Sequence, residues 1–205
     1  ELLKWPDVKS ITLVDLDSEV VRLFASQPEL SKLNGGSLSD RRVHVVNVDA
    51  FKFLEENAGS YGVIVADLPD PRNESLQKLY SEQFYRLAAR RLAPGGVFVT
   101  QSTSPYFAPK AFWSIYESMR LVWPGVVPYQ VNVPAFGIWG FIMASAAPLN
   151  VAELSFPVHT RFLDAATMKS LVVFPLDMQR VQVEPNEIMQ PVILGYYRDG
   201  WSRAH

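Results

Sequence analysis

Apolar and polar positions along the chain follow two rhythms. Short apolar runs, the pattern of strands buried in a sheet, fall at residues 11–14, 43–48, 63–66 and 97–100. Between them lie stretches with helical spacing. Ser18 opens one that runs to about Ser26, and Asp49 opens another that carries Phe51, Phe53 and Leu54. In residues 76–92, Leu79, Phe84, Leu87 and Leu92 recur at near-helical intervals, with Arg86, Arg90 and Arg91 at polar positions. Pro109 starts a further helix to about Met119. Residues 34–37, Asn-Gly-Gly-Ser, read as a loop, and Pro94-Gly95-Gly96 as the end of the 76–92 helix. Strands near 126–133 and 139–144 are expected to close the sheet as an antiparallel pair. The strand–helix alternation predicts an α/β, doubly wound, mostly parallel sheet. After Pro148 the pattern weakens. Asp164 caps a short helix to Val173, and the rest reads as Pro-rich and irregular. The expected organisation is a domain over 1–148 followed by a C-terminal extension over 149–205.

One stretch complicates this picture, because residues 121–152 contain no charge. A membrane-spanning helix needs ~20 mostly apolar residues in continuous helix. Pro124, Pro128, Pro134 and Pro148 interrupt the stretch, and Gln130 and Asn132 sit inside it, so two buried strands are the better reading. The 205 residues suffice for one domain with a core, and 48% hydrophobic against 20% charged is ordinary for a soluble fold. The net charge of −2 provides no basic field for nucleic acid. With no cysteine, disulfides and thiolate metal sites are excluded. Residue 1 is Glu, and residues 1–5 read as the end of a helix stopped by Pro6, so the chain is expected to continue upstream.

The candidate chemistry begins where an apolar run stops. Residues 63–71 read Val-Ile-Val-Ala-Asp-Leu-Pro-Asp-Pro. Pro69 and Pro71 lack amide donors and forbid further strand. Asp67 therefore falls at the carboxyl end of a strand, with Asp70 in the loop beyond it, at the rim where open α/β sheets bind ligands. Two acids there suit a cationic substrate or an amine that must lose a proton. Asp15 and Asp49 close two other strands on the same expected rim. Asp15, with Asp17 as a nearby alternative, suits ribose hydroxyls. Asp49 with the Ala50 amide suits the edge of adenine. Such acids read equally well as helix caps. His44, His159 and His205 have no ligand spacing, and Trp139 is a candidate wall for an acceptor pocket.

These residues carry a family resemblance. The ordered set Thr12–Asp17, Asn47–Phe51 and Asp67–Pro71 resembles the polyamine aminopropyltransferases, the spermidine synthase family. Ser75, Leu79-Tyr80, Phe84-Tyr85, the Leu92-Ala93-Pro94-Gly95-Gly96-Val97 run, Gln101, Val133-Pro134 and Trp139-Gly140-Phe141 continue it. The tail from His159 to Trp201 is similar to the extra segment of long bacterial members, whose membrane helices precede the catalytic domain. The resemblance implies a Rossmann-like, methyltransferase-type sheet, here without its first strand and its Gly-rich nucleotide loop. It also implies decarboxylated S-adenosylmethionine as co-substrate, a small-molecule diamine as acceptor and no metal. A homodimer and a cytoplasmic catalytic domain are implied too, membrane-anchored only through a region outside this chain. By resemblance Asp67 is the general base, Asp70 binds the diamine and Gln101 lines the amine channel, with Tyr80 close by. Asp15 binds ribose, and Asp49 with Ala50 binds adenine. Phe136 stands where many members place an aromatic hydroxyl against the diamine, which leaves the acceptor open. Two other readings remain: an S-adenosylmethionine-dependent methyltransferase, and an inactive remnant or assembly module. The chain alone is expected to be inactive, with strands 11–14 and 63–66 either pairing directly or accepting another segment between them.

Overall fold

The computed structural model describes residues 1–202, so His205 lies outside the described residues. By its contacts the chain forms two compact units. One unit is Glu1–Asn57 with Pro157–His159, and the other is Ala58–Phe156 with the chain from Thr160 onward.

The first unit holds β1 (Ile11–Val14), α1 (Ser18–Ser26), α2 (Pro28–Leu33), β2 (Val43–Val46) and α3 (Ala50–Glu56). β1 and β2 pair in parallel, with Ile11 opposite Val43 and Val14 opposite Val46. The cap of α1 is Asp17, not Ser18, its carboxylate accepting from the amides of Glu19 and Val20. α2 was not visible as a helix in the sequence; Pro28 starts it, and left-handed Gly36 turns the chain after it (φ 69°). Leu2–Lys4 make a single 3₁₀ turn before Pro6. Only Leu54 in this unit is buried.

The second unit contains β3 (Tyr61–Ala66), α4 (Glu74–Gln77), α5 (Glu82–Arg91), β4 (Leu92–Gln101), α6 (Pro109–Arg120), β5 (Gly125–Val133), β6 (Gly137–Ser145), α7 (Ala165–Leu171) and α8 (Ile193–Ser202). Its sheet order is β3-β4-β6-β5. β3 and β4 are parallel, while β4–β6 and β5–β6 are antiparallel. The α/β class holds, with the parallel strands in two ladders, β1–β2 and β3–β4, and the expected antiparallel pair, β5 and β6, closing the second sheet. The ladders of β1 and β3 run to β2 and β4, so the two strands do not pair directly. The uncharged stretch 121–152 is a β-hairpin, as expected. Among the described residues no helix is long and apolar enough to cross a membrane.

Three expectations about elements are corrected. The 76–92 helix is broken at Ser81, whose hydroxyl accepts from the Phe84 amide and caps α5 while donating to Lys78 O. Pro94-Gly95-Gly96 does not precede β4 but bulges out of it. Tyr61 pairs with Leu92 and Val63 already with Val97, which places Pro94 where no ladder amide is needed. β3 is an edge strand whose Val63 and Val65 are 58% and 54% exposed, so the run is not buried on both faces. The core of this unit lies between the sheet and α5–α6. There Phe98 stacks on Trp123 at 5.2 Å, and Phe84, Tyr85, Phe112, Ile115, Met119 and Ile142 are buried.

Candidate functional site

The acidic loop after β3 is anchored from below by one buried side chain. Gln101, the last residue of β4, directs its amide nitrogen at Leu68 O, the Tyr80 hydroxyl and Asp70 Oδ1, the last at 3.2 Å. Its amide oxygen accepts from the Thr103 amide and from Trp139 Nε1, both at 3.0 Å. Tyr80 is completely buried and donates to the carbonyls of Leu68 and Pro69 at 3.2 and 3.0 Å. Burial keeps that phenol protonated, raising its pKa well above the ordinary value. Tyr80 thus holds the loop from inside the fold.

Thr103 supplies a second support. It is the one non-glycine residue with positive φ (58°) among the described residues, a conformation that a β-branched residue adopts only under constraint. The constraint is visible: Thr103 O accepts from Gly140 N at 2.7 Å, and Ser102 N donates to Gly140 O at 2.8 Å. A Cβ on Gly140 would meet Thr103 O at 2.8 Å and the Phe112 ring closer still, so only glycine admits this approach. The outcome is that Thr103 Oγ1 reaches Asp70 Oδ2 at 3.4 Å.

Above this framework lies a cleft of about 460 Å³. Asp67 and Asp70 line it on one side and Phe136, Trp139 and Phe141 on another, with Tyr197 of α8 completing the lining. Asp67 is exposed and Asp70 half-buried. Phe136 and Trp139 lie 5.4 Å apart, ring to ring, and form an apolar wall. Burial is the largest influence on Asp70 and raises its pKa. Donors from Gln101, Tyr197 and Thr103 oppose that rise, and Arg72 opposes it only weakly, by charge alone. The arrangement suits a slender cation with apolar length. A carboxylate serves each end of the polar region, and the aromatic wall takes methylenes.

The sequence did not reveal Tyr197. Asn186, almost completely buried, holds α8 in place. Its side chain donates to Gln77 O and accepts from the amides of Val192 and Ile193, while its own amide donates to Ser118 Oγ. Gly200 packs directly on α6, where a Cβ would meet Ala108 Cα and Phe107 O at 2.6 Å. Trp201 stacks on Phe107 at 4.9 Å. The signal that would have found this helix is the spacing Ile193, Tyr197, Trp201, four residues apart on one face.

In the first unit the expected nucleoside residues are placed by their own local bonds. Asp15 Oδ1 accepts from the Asp17 amide at 2.8 Å, and Asn47 donates to Asp15 O. Asp17 caps α1, and Asp49 caps α3 by accepting from the Lys52 amide at 3.1 Å. Ala50 is the first residue of α3, beside that cap. A wide hollow of about 740 Å³ on this unit is lined by Lys9, Asp40, Arg41 and Arg42. It is scaffolding: Arg42 binds Asp40 and donates to Leu3 O and Val8 O, and holds the Asp40 carboxyl down to about 2.

Residues 1–154 match the family model described as the spermine/spermidine synthase domain. A polyamine aminopropyltransferase of Streptomyces coelicolor is 43% identical over 98% of this chain and 38% of its own length. One of Oceanobacillus iheyensis is 41% identical over 98% of this chain and 40% of its own length. The chain thus spans about two fifths of these curated relatives. Among solved structures, Thermotoga maritima spermidine synthase superposes with a TM-score of 0.72 at 19% identity, covering 84% of this chain and 60% of that one. A spermidine synthase in complex with the transition-state analogue AdoDATO gives 0.75 at 19% identity, covering 84% and 61%. At that identity the likeness speaks for the fold.

Proposed function

The chain belongs to the spermine/spermidine synthase family, and from that premise we propose that the protein moves an aminopropyl group from decarboxylated S-adenosylmethionine to putrescine or a related diamine. The products are a spermidine-type polyamine and methylthioadenosine. The observation that carries this reading is the pairing of Asp67 and Asp70 in one aromatic-walled cleft at the end of β3. A methyl acceptor requires no such double-acid slot, which weighs against the methyltransferase reading.

The reaction is a displacement at the propyl carbon attached to sulfur. The amine nitrogen forms the new C–N bond, the C–S bond breaks, and its electrons return to the sulfonium, which leaves as the neutral thioether. The sulfonium already activates the carbon. The obstacle is the amine: a Lys-like ammonium of pKa ~10.4 is neutral in about one molecule in 2,500 at pH 7, a cost of roughly 4.6 kcal/mol. Asp67 accepts the proton that the attacking nitrogen sheds. Asp70 pairs with the distal ammonium, and Gln101 fixes the loop that carries it. Trp139 and Phe136 hold the methylene chain. Asp15, with Asp17 as alternative, takes the ribose hydroxyls, and Asp49 with the Ala50 amide takes the adenine edge.

The test is turnover by the full-length protein with putrescine and either decarboxylated or ordinary S-adenosylmethionine, followed by release of methylthioadenosine. Methylthioadenosine with the decarboxylated donor supports the reading, whereas methylated product with the ordinary donor overturns it.

A further inference from the structure

Asp70 is held by an unusual set of partners for an acid meant to bind a cation. Gln101 donates to it at 3.2 Å and Thr103 at 3.4 Å, the Tyr197 phenol lies beside it on the same cleft, and none of the three carries charge. Among the described residues, Arg72 is the cation that acts on Asp70; it is exposed and acts through charge alone. A guanidinium salt bridge would fix the carboxylate but cancel the charge available to a ligand. Neutral donors fix its orientation, favour its ionised form and leave the negative charge free. Gln101 and Thr103 come from the sheet end beneath the loop. Tyr197 comes from α8, far along the chain, and lines the cleft together with Gln101. Its own pKa is pushed up to about 12 by burial and by Asp70, so its hydroxyl remains a donor throughout the neutral range.

Building on the reading of this cleft as an amine-acceptor site, we propose that Tyr197 is a positioning residue for that acceptor: its phenol donates to the Asp70 carboxylate and keeps it aimed into the cleft. Recognition of the acceptor's distal ammonium thereby depends on the docking of α8. Docking rests on the Asn186 side chain at the start of the helix and on the close approach of Gly200 to Phe107 and Ala108 near its end. Among the described residues, the titratable and charged groups around Asp70 are Arg72 in its own loop, Tyr80 buried behind it, and Tyr197 and Asp67, which line the same cleft. Removal of the Tyr197 hydroxyl takes away a donor to the ionised form, so the Asp70 pKa rises and the acid limb of acceptor kcat/KM moves to higher pH.

The experiment compares full-length wild type with Tyr197→Phe. The expected result is a diamine KM raised roughly tenfold, with kcat at saturation and the donor KM unchanged and the acid limb displaced upward. Gly200→Ala, which loosens α8 without touching Asp70, should give an acceptor-selective defect of the same sign. A ¹³C titration of the Asp70 carboxyl, read with no substrate present, should show a higher midpoint in Tyr197→Phe. An unmoved midpoint overturns the proposal, as does an equal loss for donor and acceptor. If wild type fails to transfer aminopropyl groups, the functional reading falls, while the carboxyl titration still decides the role of Tyr197.

Discussion

Asp67 and Asp70 share a loop but sit in different surroundings, and that difference separates their consequences. Asp67 faces water at the strand end. Replacing it with Asn keeps the shape and removes the proton acceptor, so kcat should fall about a hundredfold or more with nucleoside affinity preserved. Near-normal kcat across neutral pH would remove Asp67 from the mechanism. Asp70 is half-buried, with its pKa raised chiefly by desolvation. A carboxyl whose folded pKa lies above its unfolded value binds protons more tightly when folded. Its contribution to stability therefore falls as pH rises from the unfolded to the folded value. Asp70→Asn should then lose diamine affinity yet gain in Tm relative to wild type as pH goes from 4 to 7. A wild-type advantage that grows over that interval would refute the assignment. The two acids were placed in the sequence by a strand end and two prolines, whereas Gln101 and Phe136 were named only through the family resemblance; all of them, with Trp139, line one cleft. A tyrosine near a site in sequence carries no mark of which way its ring turns, and the Tyr80 ring is completely buried.

At the scale of elements, strong local signals matched and weak ones did not. α6 runs from Pro109 as expected, and the hairpin of β5 and β6 follows its apolar runs. α8 was missed because Gly195, Gly200 and paired tyrosines make a poor intrinsic helix. Its existence depends on Asn186, eight residues before Leu194, and on the surface of α6. The break at Ser81 was hidden by spacing that continues across it; only the cap distinguishes one helix from two. The dependence of α8 on Asn186 is measurable. Asn186→Ala removes the three side-chain bonds to Gln77, Val192 and Ile193 and should destabilise the second unit by about 2–3 kcal/mol. Urea unfolding showing a loss under about 0.5 kcal/mol would mean the latch is decorative.

Across the whole molecule, burial is uneven in a way the apolar pattern concealed. Strong apolar runs sit in both units, yet Leu54 alone is buried in the first, whereas the second has a continuous aromatic core. Local opening follows burial, so limited proteolysis of the 205-residue chain should cut within residues 1–57 well before the sheet of β4 and β6. The reverse order would contradict this. The Asn186 latch has a further consequence, one of time. Its bond to Gln77 joins residues 109 apart in sequence, and the neighbouring bond from Ile188 to Gln83 spans 105. Contacts that close such long loops form after local ones. During refolding the sheet should therefore gain protection from hydrogen exchange first, and the amides of α8 later. In the interval the chain holds a formed strand end carrying Asp67 and an Asp70 without the docked α8 beside it.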